Sequence, residues 1–269
     1  MTSLNLMEKE PRSIPHQFIF LHAIVASLIT SGIAWATPLS FCGYRSDQSS
    51  SRFFLFLSDS GAHWGILGVM LLMAILVASR HSGIEARIRK TILFLLRLSA
   101  VLAVLAFINE FVTKPFFAVH RPYVLKLEKE GLLIADTYYA LARSERADFM
   151  RKTLDEKKDS KLVQSLDPKI RKHWIAMTGF SFPSGHSQNA FLFALIVSFL
   201  VQHLLPNGKR LVWIPFLWAT GICLSRVALG AHSPLDVTVG ALTGGLFGGL
   251  ILLSGWLNKA LPETQPKKE

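Results

Sequence analysis

Charge is scarce in this chain. Only 17% of its 269 residues are Asp, Glu, Lys or Arg, against 51% hydrophobic ones, where a soluble domain carries about 25% charge. With a mean hydropathy of +0.37, the shortage excludes an ordinary soluble domain and points to one integral membrane domain. Cysteine is nearly absent. The two present, Cys42 and Cys223, have no zinc-binding spacing, and they fall in an expected outer loop and an expected span, so neither a structural zinc nor a disulfide is anticipated. Acidic residues are also few, 18 against 29 basic ones, which leaves a net charge of +11. In a soluble protein that balance would suggest nucleic acid. Here many of the basic residues sit at the ends of apolar runs, as the bias of cytoplasmic loops toward Lys and Arg and contact with anionic lipid head groups require. No nucleic-acid partner is expected; membrane lipids are.

A bilayer-crossing helix needs about 20 mostly apolar residues. Runs of that kind occur near 18–37, 63–79, 91–112, 187–205, 211–229 and 236–257. The expected fold class is therefore all-α, a polytopic membrane protein with about six transmembrane helices. Arg80, Arg87, Arg89 and Lys90 lie between the second and third runs and assign that linker to the cytoplasm. Alternation then puts Lys9, Arg12, Lys209, Arg210, Lys259, Lys267 and Lys268 on the same side, with both termini inside. The chain reads as a single domain, 1–269, with cytoplasmic tails 1–17 and 259–269 and one long extracytoplasmic loop, 113–180. The first run ends in Ala34-Trp35-Ala36, a sequence that resembles a signal-peptidase site. Its apolar stretch exceeds the roughly 7–15 residues of a secretory signal, so a retained helix is expected.

The long loop mixes charge with apolar residues. Leu125, Leu127, Leu132, Leu133, Ile134, Tyr138, Tyr139 and Leu141 suit an apolar face lying on the bilayer, and the run 154–166 suits a solvated helix. Short helices capping the bundle are anticipated, either as a structural cover or as a lipid-selecting element.

Three short motifs carry the chemistry: KPFFAVHRP from Lys114, FPSGH ending at His186, and SRVALGAHSPLD from Ser225. Under the topology above, every one of them falls at the outer ends of spans. Lys114, Arg121 and Arg226 supply three cations. Arginine's planar fork fits two phosphate oxygens and lysine acts as a point charge, so together they suit the charge of a phosphoryl transition state. Lys114 and Arg121, seven residues apart, share a face of a continuous helix, although Pro115 favours a break or kink there. Ser184 and Gly185 open a helix whose free N–H groups attract an anion, Ser184 also being a natural N-cap. His232 precedes Asp236 by one helical turn, so the carboxylate can fix the imidazole tautomer and leave the other nitrogen free as nucleophile; Ser233 and Asp236 also read as a capping pair. His186 is left to protonate the leaving oxygen.

This set, K-x6-RP, PSGH and SR-x5-H-x3-D, resembles the type 2 phosphatidic acid phosphatase superfamily and departs from it at no position. The segments LEKEGLLIADTYYALARSERADFMRKTLDEKKD and RKHWIAMTGFSFPSGHS extend the resemblance over most of the chain. It implies hydrolysis of lipid phosphate mono- or diphosphate esters, such as phosphatidylglycerol phosphate, undecaprenyl pyrophosphate, phosphatidic acid or diacylglycerol pyrophosphate. It further implies a phosphohistidine on His232 oriented by Asp236, with His186 as general acid and Lys114, Arg121, Ser184, Gly185 and Arg226 binding phosphate. No metal or other cofactor is implied. The implied setting is a bacterial inner membrane, with the site facing the periplasm and a phosphorylated lipid as substrate; the sequence leaves the oligomeric state open, a monomer included. A lipid A phosphatase or a lipid phosphotransferase of the same superfamily is the alternative. A lipid transporter is more distant, since transporters place polar groups near the bilayer midplane.

His22, His63, His81 and His203 are isolated and read as packing residues. His120 and His173 lie nearer the motifs without belonging to them. Gly240, Gly244 and Gly248, with Gly245 and Gly249, form the small-residue stripe that lets membrane helices approach closely, here inside the bundle.

Overall fold

The computed structural model describes residues 16–46 and 49–260. The tail residues Lys9, Arg12, Lys267 and Lys268 lie outside them, as do most of 1–17 and of 259–269. Among the described residues the chain is all-helical and has no strand. Its helices are α1 (His16–Ala36), α2 (Ser49–Ser60), α3 (His63–Ala78), α4 (Ile84–Phe107), α5 (Lys114–Phe117), α6 (Pro122–Lys129), α7 (Ala135–Ala140), α8 (Arg146–Glu156), α9 (Lys161–Ser165), α10 (Pro168–Ala176), α11 (Gly185–Leu204), α12 (Trp213–Ala228) and α13 (Pro234–Leu253). Five of them, α1, α4 with its continuation, α11, α12 and α13, are long and apolar enough to cross a membrane, and α2 with α3, bent by 50° at their junction, make a candidate sixth span if the pair is taken as one. Taken as one span, the pair begins before position 63. Its first half was hidden by Ser49, Ser50, Ser51, Ser58, Asp59 and Ser60, which dilute the apolar signal.

α11 is the axis of the bundle. Most of its length is buried from Ser187 to Leu204, while α1, α3 and α4 expose Leu28, Leu71, Leu96 and similar residues on the surface a bilayer would cover. The glycine stripe of α13 seats it against α11: a Cβ at Gly240 would lie 2.5 Å from the Ser184 carbonyl oxygen, and one at Gly244 2.2 Å from that of Gln188. Gly249, on the neighbouring side, faces Phe20 of α1, 2.6 Å from where a Cβ would stand. The stripe therefore packs within the bundle. Cys223 is buried in α12, Cys42 is half-buried, and both are free thiols. Packing also explains His22, whose ring lies 4.3 Å from that of Trp213.

The long loop folds into α6–α10 around a second apolar cluster that includes Tyr123, Leu127, Tyr138, Met150, Leu154, Ile170 and Trp174. This corrects two expectations. Of the residues assigned to a bilayer-facing surface, Leu127, Leu133, Tyr138 and Tyr139 turn inward, and only Leu125 and Ile134 are exposed. The run 154–166 is not one solvated helix: it breaks between α8 and α9, and Leu154, Leu162, Val163 and Leu166 enter the cluster. Burying these side chains is worth about 1.5–3 kcal/mol each, a gain that the second core supplies without a membrane surface. The cluster is fastened to the bundle end by Trp174 Nε1, which donates to the Leu229 carbonyl at 2.9 Å, and by the Tyr123 N–H, which donates to that of Gly230 at 2.9 Å.

Candidate active site

α4 does not run straight into α5. Residues Ile108–Thr113 form a π-helical turn, a distortion common at functional sites, and Pro115, with no N–H to give, sits in the first turn of α5. The chain then reverses at Ala118, whose φ of 47° is left-handed, before α6 starts at Pro122. Lys114 and Arg121 are therefore not on one continuous helix, as their spacing alone allows. They meet because the chain bends between them.

The remaining groups come from helix ends at the same end of the bundle. His186 lies in the first turn of α11, Arg226 in the last turn of α12, and His232 in the turn before α13. The Ser184 N–H donates to the Asp236 carbonyl at 3.0 Å, which locks the starts of α11 and α13 together. All of these surround a cavity of about 440 Å³ lined by Lys114, Arg121, Gly185, His186, Arg226 and His232, together with Asn109, Glu110 and Arg143. The other two candidates, Ser184 and Asp236, stand behind this lining. Ser184 is the N-cap of α11, accepting from the Ser187 N–H at 3.3 Å and from its hydroxyl at 2.9 Å.

Arg121 is almost wholly buried and fixed from several sides. Its Nε donates to the Gly179 carbonyl at 2.7 Å, and its Nη1 to that of Ala231 at 3.0 Å. The same Nη1 lies 3.3 Å from His232 Nε2. Since a guanidinium can only donate, that contact makes Nε2 the bare nitrogen of the ring. The proton then belongs on Nδ1, where Ser181 Oγ lies at 3.3 Å and Asp236 Oδ2 at 3.5 Å. Ser181 in turn donates its hydroxyl hydrogen to Asp236 Oδ2. The same carboxylate oxygen accepts the Ser233 N–H at 2.7 Å and completes the capping box of α13. Asp236 thus both caps the helix and polarises the histidine. Burial, and after it the charges of Arg121, Arg226 and Lys114, hold the His232 pKa well below its ordinary value, so the ring is neutral.

Arg226 Nη1 donates to Ser58 Oγ at 2.5 Å and to His173 Nε2 at 3.0 Å, and its Nη2 contacts Met177 Sδ at 3.0 Å. His173 is pushed down to about 3 by burial and by the Arg226 and Arg121 charges, which keeps it an acceptor. Lys114 is paired with Glu110, whose other oxygen meets Arg143 Nη2 at 2.9 Å. His120 stacks on Tyr139 with centroids 4.3 Å apart and does not line the cavity. Sequence reasoning passed over Ser181 and Glu110 and did not assign His173; none lies within a motif, and only folding brings them to the site. No cluster of three His, Cys, Asp or Glu side chains able to hold a metal ion occurs among the described residues.

This arrangement offers a neutral imidazole nitrogen beside the Arg121 guanidinium, with Lys114, Arg226 and a second histidine, His186, lining the same cavity. Such a site can bind a tetrahedral anion and attack it. Residues 94–260 match the PAP2 superfamily. Over 212 residues the chain is 32% identical to phosphatidylglycerophosphatase B of Escherichia coli strain K12, covering 77% of this chain and 76% of that protein. The protein of the same name from Haemophilus influenzae is 29% identical over 51% of this chain and 56% of its own length. That from Bacillus subtilis is 38% identical over 31% and 46%.

Proposed function

The chain belongs to the PAP2 superfamily, a multi-pass membrane phosphatase by that kinship, and from that premise we propose that it hydrolyses phosphate mono- or diphosphate esters of lipids through a phosphohistidine on His232. The observation that carries the proposal is the bare Nε2 of His232, 3.3 Å from the Arg121 guanidinium in a cavity shared with Lys114, Arg226 and His186. Nε2 attacks phosphorus and the bond from phosphorus to the lipid oxygen breaks. His186 gives its proton to that oxygen, releasing the lipid alcohol or lipid monophosphate. His186 then takes a proton from water, which attacks the phosphohistidine, breaks the P–N bond and frees phosphate. Lys114, Arg121 and Arg226 balance the charge on the equatorial oxygens, and the start of α11 at Ser184 and Gly185 adds backbone dipole. Asp236, with Ser181, holds the Nδ1 proton in place. Charge balance by these side chains makes the reaction independent of metal.

Phosphatidylglycerol phosphate, undecaprenyl pyrophosphate, phosphatidic acid and diacylglycerol pyrophosphate are the substrates this site suits. The name shared by the relatives supports the first. We place the protein in a bacterial inner membrane with the site toward the periplasm, because Arg80, Arg87, Arg89, Lys90, Lys209 and Arg210 lie at the opposite ends of the spans from the site. An outward site would serve the phosphate chemistry of wall-lipid recycling. The whole of 1–269 acts as one domain. The test is phosphate release from each lipid by purified protein in detergent with EDTA, with His232→Ala as control. Release that disappears in the variant supports the reading. Release that depends on added divalent metal, or that survives in the variant, contradicts it.

A further inference from the structure

A second cavity, of about 350 Å³, lies between α3, α11 and α12 and shares no lining residue with the active site. Its long wall is a stripe running down α11 through Ala194, Val197 and Val201 to Leu205. The first three side chains are short, where other faces of the helix carry Phe191, Phe193 and Phe199, and the space they leave is the cavity. From Ala194 to Leu205 the helix rises about 16 Å at 1.5 Å per residue, close to half the ~30 Å hydrocarbon thickness of a bilayer. Spread over that length, the volume makes a slot about 5 Å wide, one polymethylene chain thick. Val69 and Trp218 line it toward the middle of the bundle, Leu76 and Leu211 toward the end opposite the active site. Leu72 and Ile214, also in its wall, are 45% and 58% exposed, so the slot opens sideways to the bilayer.

Cations stand at the mouth. Arg80 follows Leu76 by four residues, and Lys209 and Arg210 lie in the turn between Leu205 and Leu211. All three are exposed, and none makes a side-chain bond among the described residues. That end of the bundle carries a single acid among the described residues, Glu85. We propose that the slot binds one anionic glycerophospholipid of the leaflet opposite the active site, with an acyl chain between α3, α11 and α12 and its head-group phosphate at Arg80, Lys209 and Arg210. Burial of the chain supplies affinity for any lipid of this shape, and the cations select the head group by its charge, at roughly fivefold per cation. The slot goes beyond the general attraction of basic loops to a membrane surface, because it fixes one lipid at one place. A bound chain fills a void whose lining otherwise lacks contacts, and it joins α3 to α11 and α12. The inference is independent of whether the active site hydrolyses lipid phosphate.

The experiment follows thermal unfolding of the purified protein in neutral detergent while dioleoyl phosphatidylglycerol or dioleoyl phosphatidylcholine is titrated in. A lipid that binds the folded state raises Tm as its concentration passes Kd, and phosphatidylglycerol is expected to act at the lower mole fraction. Replacing all three cations, Arg80→Gln, Lys209→Gln and Arg210→Gln together, should move the phosphatidylglycerol midpoint to that of phosphatidylcholine and leave Tm without lipid unchanged. Ala194→Leu narrows the slot, and Leu72→Trp covers its open lip from a lipid-facing position; each should reduce the stabilisation by both lipids. Equal midpoints for the two lipids in wild type would overturn the proposal. So would a phosphatidylglycerol preference that persists in the triple variant, as lipid held in the active-site cavity would give. A full lipid effect retained in both slot variants would leave surface charge alone and overturn it too. A dimer seen by light scattering and dissociated by Leu72→Trp would assign the slot to a second copy of the chain instead.

Discussion

Ser181 stands between His232 and Asp236, its hydroxyl 3.3 Å from His232 Nδ1 and donating to Asp236 Oδ2, while the direct Nδ1 to Oδ2 distance is 3.5 Å. The carboxylate reaches the histidine partly through the serine. Ser181→Ala should therefore lower kcat by about tenfold or more while KM changes little, because the tautomer matters in the transition state and not in lipid binding. Asp236→Asn should lower kcat further, and the double variant should be no worse than Asp236→Asn alone, since both residues act on one proton. Steady-state kinetics of the three variants decide it; fully additive losses would mean that the serine acts separately.

The approach of α13 to α11 is set by glycine. A Cβ at Gly244 would lie 2.2 Å from a backbone carbonyl oxygen, whereas one at Gly68 on α3 meets nothing within 4 Å. Gly244→Ala should destabilise the protein by about 1–3 kcal/mol or more through overpacking. Gly68→Ala should leave it unchanged or raise stability by up to about 1 kcal/mol through helix propensity. Thermal unfolding in detergent measures both, and Gly244→Ala should also lose activity as His186 and His232 move apart.

His173 gives a dependence on pH. Its folded-state pKa is about 3 and its ordinary value is about 6.5, so below about pH 6.5 the unfolded chain binds a proton that the folded one refuses. Stability is full above that pH and declines as pH falls toward 3. Wild type should lose thermal stability between pH 7.5 and 5, and His173→Gln, which lacks the titrating group, should lose less over the same interval despite starting lower because the Arg226 contact is weakened. Equal losses in the two proteins would contradict the assignment.

Much of the architecture can be read from hydropathy, because long apolar runs such as 187–205 and 236–257 have few alternatives to membrane helices. α2 escaped notice because its serines pack or hydrogen-bond inside the protein, as Ser58 does to Arg226, a contact that depends on residues more than a hundred positions away. The loop's short helices were foreseeable; the inward turn of Tyr138 and Leu154 was not, because a local apolar face fits a membrane and a second core equally well. Within the site, Lys114, Arg121, His186, Arg226 and His232 were legible from motif spacing. Ser181, Glu110, Asn109 and His173 were not, since each acquires its role through a tertiary contact. The side of the missing Cβ at Gly185 faces Asn109 Nδ2, a contact that spacing along the chain does not show.

The most direct test of the account is to trap the intermediate. Purified protein is mixed with phosphatidylglycerol phosphate labelled with ³²P in its terminal phosphate, quenched within milliseconds in alkali, and the labelled peptide identified. A covalent label that is stable to base, labile to acid, carried on His232 and absent from His232→Ala is the result expected of a nucleophilic imidazole facing Arg121. Rapid phosphate release with no protein-bound label at any quench time, or a label that persists in His232→Ala, would contradict it.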